Sequence, residues 1–283
     1  MSRIAYVNTC FVPHRTACVH IEDRGFQFGD AVYEVWAVRD GALLDEEGHF
    51  RRLYRSLDQL DIMFERTPAS LRVTIGELLR QNRIRNGLVY LQISRGAAPR
   101  DHAFPEAVLA PTVVLTAKRF DFAAAARRAE GGVRVITQED ERWGRCDIKS
   151  VNLLPNVLAK QAAREEGAYE AWLVDRDGLV TEGSSTTAWI VSADGKLVTR
   201  PLDNHILPGI TRQTVISVAG AMGLDLEERA FSPEEAKAAR EAFLTSASSF
   251  VMPVVQIDDK VIANGAPGTL ALGLRDEYLR AQW

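Results

Sequence analysis

From Glu46 to Ile62 apolar residues recur three and four apart, at Phe50, Leu53, Leu57 and Leu60. That spacing predicts an amphipathic helix, with Arg52 on it. A second helix is predicted from about Pro68 to Arg85, opened by a proline whose missing N–H costs nothing in a first turn. Around these helices the apolar positions come in short runs. They predict strands at residues 4–7, 16–21, 32–38, 89–95 and 112–118. Asn8 and Pro13 supply turn chemistry, Asp23-Arg24-Gly25 opens a loop, and Asp40-Gly41 before Ala42-Leu43-Leu44 is a two-residue hairpin signal.

Between Arg119 and Glu130 an alanine-rich, charged stretch marks a boundary, and Gly131-Gly132 leads into a second half. There the pattern predicts strands near 133–137, 169–175, 179–181, 187–192, 243–245 and 251–257, with another ending at Ala230. Helices are predicted at 156–166 and 210–222, from Pro233, and at 269–280. Strands in clusters with helices between them, without strict βαβ alternation, predict an α+β chain with mixed or antiparallel sheets. We divide it into domains of residues 1–120 and 121–283.

Composition narrows the function classes. With 283 residues, 46% apolar and 25% charged, the chain reads as a globular protein large enough for two modest domains. A net charge of −4 argues against a nucleic-acid partner. Cys10, Cys18 and Cys146 are an odd count without metal spacing, so reduced thiols and no metal site are expected. The most apolar run, Val108 to Ala117, is too short to span a bilayer and contains Pro111, and Met1 to Cys10 has no signal core. A cytoplasmic chain without a membrane partner is the expectation.

Candidate chemistry centres on Arg145-Cys146-Asp147-Ile148-Lys149-Ser150-Val151-Asn152, between a predicted strand and a predicted helix. Most lysines are solvated surface charges. Flanked by Ile148 and Val151, Lys149 is instead a candidate Schiff-base nucleophile, because partial desolvation releases the ammonium proton. Gly209-Ile210-Thr211 enters a helix, whose N-terminus offers free N–H groups to a phosphate; Thr211 reads equally as an N-cap. Arg100 and His102 point the same way if their loop is extended, although an Arg-Asp-His loop is also an ordinary solvated turn.

Five segments in order resemble the D-amino-acid aminotransferases. They are Asp140-Glu141-Arg142-Trp143 through Ser150; Glu22 to Asp30 with Tyr33-Glu34-Val35; Arg95-Gly96 to Arg100-Asp101-His102; Thr181-Glu182-Gly183-Ser184-Ser185; and Leu207 to Arg212. These enzymes are class IV aminotransferases of fold type IV. The resemblance implies pyridoxal 5'-phosphate (PLP) as cofactor and a homodimer of two-domain α/β subunits, with the active site between the domains and at the dimer interface. It implies that Lys149 bonds the cofactor and moves a proton, and that Glu182 faces the ring nitrogen, keeping it protonated so that the ring accepts electrons. It assigns the phosphate to Arg52, the Ile210 N–H, the Thr211 hydroxyl, Ser246 and Ala247, and one ring face to Leu207. It gives the substrate carboxylate to Tyr33, Arg100 and His102, the last two donated by a neighbouring subunit.

The implied activity is transfer of the amino group of D-alanine or another D-amino acid to 2-oxoglutarate or a similar 2-oxo acid. Alternatives on the same fold are branched-chain L-amino-acid or (R)-amine transamination, and aminodeoxychorismate lysis. The chain departs from the family pattern at Trp36, Ala37, Asp101 and Ala247, which points to a changed side-chain pocket or an altered balance of charge at the carboxylate.

Overall fold

The computed structural model describes residues 3–282. They form two compact units, one of residues 3–121 with Ile148–Asn152, the other of Phe122–Asp147 with residues 153–282. The Lys149 segment therefore belongs to the first unit, although its flanks belong to the second.

In the first unit six strands make one antiparallel sheet in the order β2-β1-β6-β5-β3-β4. They are β1 (Ile4–Val7), β2 (Cys10–Pro13), β3 (Ala31–Arg39), β4 (Ala42–Leu43), β5 (Gly87–Ser94) and β6 (Thr112–Arg119). The expected strand at 16–21 does not form. The partner of β1 is β2, turned back at Asn8 with φ 57°, and Pro13 sits at the strand end, where a missing N–H is tolerated. A short helix, α1 (Arg24–Phe28), occupies what the sequence suggested was loop, with the Asp23 carboxylate accepting from the Phe26 N–H as its cap.

Helices α2 (Glu46–Gln59) and α3 (Pro68–Asn82) each stop three residues short of the expected end, before left-handed Asp61 and Arg83 respectively. Along β3 the alternation of faces decides what packs where. Val32, Trp36 and Val38 join Phe50, Leu53 and Leu57 of α2, and Leu71, Ile75 and Leu78 of α3, in one apolar core. Tyr33 and Val35 face the other way and are half-buried.

The second unit is built on a nine-stranded mixed sheet, β12-β11-β10-β13-β14-β7-β8-β9 with β15 on β14. Its strands are β7 (Val133–Glu139), β8 (Glu170–Val174), β9 (Val180–Gly183), β10 (Thr187–Val191), β11 (Leu197–Thr199), β12 (Leu226–Glu228), β13 (Glu241–Ser246), β14 (Phe250–Ile257) and β15 (Lys260–Val261). Helices α4 (Phe122–Gly131), α5 (Leu154–Glu165), α6 (Ile210–Ala221), α7 (Pro233–Ala238) and α8 (Thr269–Ala281) accompany it. The alanine-rich stretch read as a boundary is α4, as alanine's helix propensity favours. Central strands such as β10 are buried on both faces and read as unbroken apolar runs. The α+β reading with mixed and antiparallel sheets holds.

Gly96, at the end of β5, has φ +110°, and a Cβ there would lie 2.3 Å from the Ala110 carbonyl oxygen. Gly96→Ala is expected to destabilise the protein by roughly 1–3 kcal/mol, read as a lower denaturant midpoint with an unchanged slope.

Candidate active site

In the first unit the Lys149 peptide is fixed on both sides. Its N–H donates to Ser56 Oγ (3.3 Å) and its carbonyl accepts from the Tyr33 N–H (3.0 Å). Val32 and Ser150 form an antiparallel bridge, so this segment extends the edge of the sheet beside β3. The side chain is half-buried, with Nζ 4.2 Å from the Tyr33 ring centroid. Tyr33 itself lies 5.7 Å from the ring of Tyr90. Burial and the neighbouring Tyr33 phenol push Tyr90 up to about 12, so it is a neutral O–H that donates to Gln92 Oε1 (2.6 Å).

On the opposite face of β3, Glu34 is fully buried. Arg52 Nε donates to its Oε1 (2.7 Å), Arg52 Nη2 to its Oε2 (2.9 Å), and His49 Nδ1 lies 2.7 Å from Oε2. Burial alone would raise the Glu34 carboxyl. The Arg52 charge and the hydrogen bonds from Arg52 and His49 outweigh it, and Glu34 stays ionised well below the usual range. Burial likewise lowers His49, against the pull of Glu34, so the imidazole is neutral and its Nδ1–H donates to the carboxylate. His49, Arg52 and Ser56 are a buried polar stripe on α2, at spacings of three and four beside the apolar stripe Phe50, Leu53, Leu57. That stripe fixes both the Arg52 guanidinium and the Lys149 backbone.

The other substrate candidates lie in the loop between β5 and β6. Arg100 and His102 are exposed, yet both rest on Phe28: the Arg100 guanidinium is 4.7 Å from its centroid and the His102 ring 5.3 Å. Both side chains thus contact the one Phe28 ring. Trp36, expected to reshape a pocket around Tyr33, does not face it: fully buried, it packs on Phe50 and His49.

In the second unit Glu182, at the end of β9, is only 6% exposed. Its Oε1 accepts from Arg142 Nη1 and from the Leu207 N–H (3.2 Å). Arg142 is held in turn by Asp140 (2.9 and 2.8 Å), Thr181 Oγ1 (3.2 Å) and the His205 carbonyl (3.0 Å). Burial works against the Arg142 charge, but Asp140 and Glu182 more than compensate and raise it further above its usual value. Helix α6 starts at Ile210 with Gly209 as N-cap, so Thr211 is a buried first-turn residue and not the cap expected from sequence. No side chain caps this N-terminus, which leaves its dipole and N–H groups to an anion. Leu207 is half-buried just ahead of it, Ser246 ends β13 and Ala247 opens the turn that follows. The first unit thus carries a buried guanidinium and a lysine laid on tyrosine, and the second a fixed carboxylate and a helix start with glycine as its N-cap; each is a group type that suits a phosphorylated pyridine aldehyde.

Among the described residues there is no group of three or more His, Cys, Asp or Glu that could hold a metal ion. Sequence reasoning quoted Glu34, Asp140 and Arg142 within the resembling segments without giving them a role, and passed over His49. The spacing of His49, Arg52 and Ser56 on one helix face was the available signal.

Removing the Glu34 charge leaves Arg52 buried without its counter-ion. Glu34→Gln is expected to cost about 3 kcal/mol at neutral pH, whereas Glu46→Gln, which breaks the exposed pair with Arg72, should cost under about 0.5 kcal/mol; urea unfolding of both variants checks the contrast. Burial raises the Cys146 thiol to about 11, against 9.0 ordinarily. At pH 8 it is protonated and unreactive. Alkylation followed by mass spectrometry should label exposed Cys10 and Cys18 first, with Cys146 reacting faster as the pH climbs toward 11.

The family model for amino-transferase class IV matches residues 31–257. D-alanine aminotransferase of Bacillus licheniformis is 44% identical over 257 residues, 90% of this chain and 89% of that protein. D-alanine aminotransferase of Staphylococcus epidermidis is 38% identical over 273 residues, 96% of this chain and 95% of its own. Among solved structures, the branched-chain aminotransferase of the thermophilic archaeon Thermoproteus uzoniensis, with norvaline, superposes with a TM-score of 0.85 at 26% identity, covering 100% of this chain and 95% of that one. The branched-chain enzyme of Escherichia coli shares the fold, with a TM-score of 0.86 at 22% identity over 98% and 92% of the two chains. The family match takes in Tyr33, Arg52, Lys149, Glu182 and the start of α6, and the chain belongs to the class IV aminotransferases.

Proposed function

We infer that this chain is a PLP-dependent transaminase that moves the amino group of D-alanine or another D-amino acid to 2-oxoglutarate or a similar 2-oxo acid. The observation that carries the D-specific reading is the Arg100–His102 pair, set side by side on Phe28, in a chain 44% identical to a D-alanine aminotransferase. Likeness to branched-chain enzymes at 26% identity and 22% identity supports the shared fold and does not choose a substrate.

Bound PLP supplies an electron sink for negative charge at the substrate α-carbon. Lys149 Nζ is the covalent anchor and carries the proton to and from that carbon. Glu182, held by Arg142 and the Leu207 N–H, keeps a proton on the ring nitrogen. Arg52 would hold the phosphate, together with Ile210 and Thr211 at the start of α6, Ser246 and the Ala247 backbone, and Leu207 would support a ring face. Tyr33, Arg100 and His102 take the substrate carboxylate, the guanidinium as a planar fork. We place the enzyme in the cytoplasm as a homodimer whose second copy donates the Arg100–His102 pair; three free cysteines are in keeping with that compartment.

The test is transamination by purified, PLP-loaded protein with 2-oxoglutarate and either D-alanine or L-leucine, reading the chirality of the glutamate. D-Glutamate from D-alanine alone is expected, and Lys149→Ala should lower that rate about 10³-fold or more. L-Glutamate from L-leucine would overturn the reading.

A further inference from the structure

We propose that Arg24 is the positioning residue of the substrate-carboxylate loop, one buried guanidinium holding the backbone of residues 101–103 so that Arg100 and His102 stand together on the Phe28 ring. The proposal rests on the assignment of that pair to the substrate carboxylate.

Arg24 is 3% exposed. Its Nη1 donates to the carbonyls of Asp101 (2.7 Å) and Ala103 (3.3 Å), and its Nη2 to the carbonyl of His102 (3.3 Å). Three successive loop carbonyls thus converge on one side chain. Asp101 Oδ1 accepts from the Ala103 N–H (3.2 Å), a local turn that gathers those carbonyls. This gives Asp101, one of the departures from the family pattern, a place in the loop's geometry rather than in the charge at the carboxylate.

The guanidinium is fixed at its root. Arg24 Nε donates to Asp30 Oδ2 (2.8 Å), and Asp30 also takes Arg95 Nε (2.7 Å) and Nη2 (3.0 Å). Arg95 is tied to the carbonyls of Leu60 (2.6 Å) and Asp61 (2.8 Å). The Arg24 N–H donates to the Gly96 carbonyl (2.9 Å), and the Asp23 carboxylate accepts from Ser94 Oγ (2.6 Å). Gly25 is required by the close approach of this turn to β5, since a Cβ there would lie 2.8 Å from Ser94 Cβ.

Two arginines against one aspartate leave one positive charge in excess, and it is met by the loop carbonyls and by aromatic faces. Phe28 lies 4.9 Å from Arg24 and Phe104 lies 3.7 Å from Arg95. Phe28 therefore carries Arg24, Arg100 and His102 on one ring. The Asp-Arg-Gly segment, singled out in the sequence with no chemistry of its own, acquires a role: it aims two side chains that sit on a loop without regular secondary structure. A carboxylate grip is lost when its donors move by about 1 Å, which costs up to roughly a hundredfold.

The experiment compares Arg24→Met, Arg24→Lys and Arg100→Met as PLP-loaded enzymes. It reads KM and kcat for D-alanine and hydrogen–deuterium exchange across residues 98–105. Arg24→Met is expected to raise KM about tenfold or more with kcat within about threefold, and to speed exchange in that loop. Arg24→Lys should fall between, because one ammonium reaches only part of the acceptor set. A raised KM in Arg100→Met with an unchanged KM and unchanged exchange in Arg24→Met would overturn the clamp and leave the carboxylate assignment standing. An unchanged KM in Arg100→Met would remove that assignment, and the positioning role with it. Should Arg24→Met fail to fold, Phe28→Leu, which leaves the Arg24–Asp30 pair intact, is expected to give the same rise in KM, and an unchanged KM there overturns the proposal.

Discussion

The buried ion pair between Glu34 and Arg52 ties β3 to α2 in the first unit. A carboxylate with no solvent access costs several kcal/mol to desolvate unless it is paired and hydrogen-bonded. Here a bidentate guanidinium and a neutral imidazole meet it. Because β3 alternates, seating Glu34 beneath α2 forces Tyr33 onto the other face, where its ring meets Lys149 Nζ. Because α2 repeats every three to four residues, aligning His49 and Arg52 with Glu34 also delivers Ser56 to the Lys149 N–H. One strand register and one helix face thus locate the amine and the buried cation together. The guanidinium is oriented during folding, so on the proposed reading the cofactor phosphate would not bear the entropy of ordering a long side chain.

The same device recurs. Arg142 is gripped by Asp140 and presents itself to Glu182, and Arg24 is gripped by Asp30 and presents itself to the loop carbonyls. In each, a carboxylate fixes one edge of a planar fork and the remaining N–H groups do the aiming. Lysine, a point charge on a flexible stem, could not serve two directions at once. Arginine greatly outnumbers lysine in this chain, and that preference is partly architectural.

Much of the fold was legible because its long elements have strong periods. Phe50, Leu53 and Leu57 predicted α2, and alternating or continuous apolar runs predicted β3, β5, β6 and most of the second sheet. Misses occurred where pattern is too short to carry a period, as in β2, β11, β15 and α1, or where the chain ends a helix with a non-glycine residue at positive φ, as at Asp61 and Arg83. At the site, Lys149 and Glu182 were readable through the order of five resembling segments, not through their own spacing. Glu34 and His49 went unread because charged and polar residues default to the surface, and only the fold reveals that a polar stripe borders the apolar one on α2. Trp36 misled for the complementary reason: its nearness in sequence to Tyr33 concealed that an odd separation along a strand means opposite faces.

Sequence relatives that are D-alanine aminotransferases and structural neighbours that are branched-chain enzymes are compatible once the fold and the specificity are separated. Sheets and helices recur among enzymes named for different substrates, so the fold alone cannot be what selects one. Selection then resides in particular side chains, and on the proposed reading two of them, Arg100 and His102, lie on the β5–β6 loop. Such a loop has no ladder or helix to give it precision. The precision of Arg100 and His102 has to come from side-chain donors reaching back to its carbonyls, and Arg24 supplies them. On the proposed reading, specificity in this chain then depends on a short helix and an ion pair that hold the loop by its backbone.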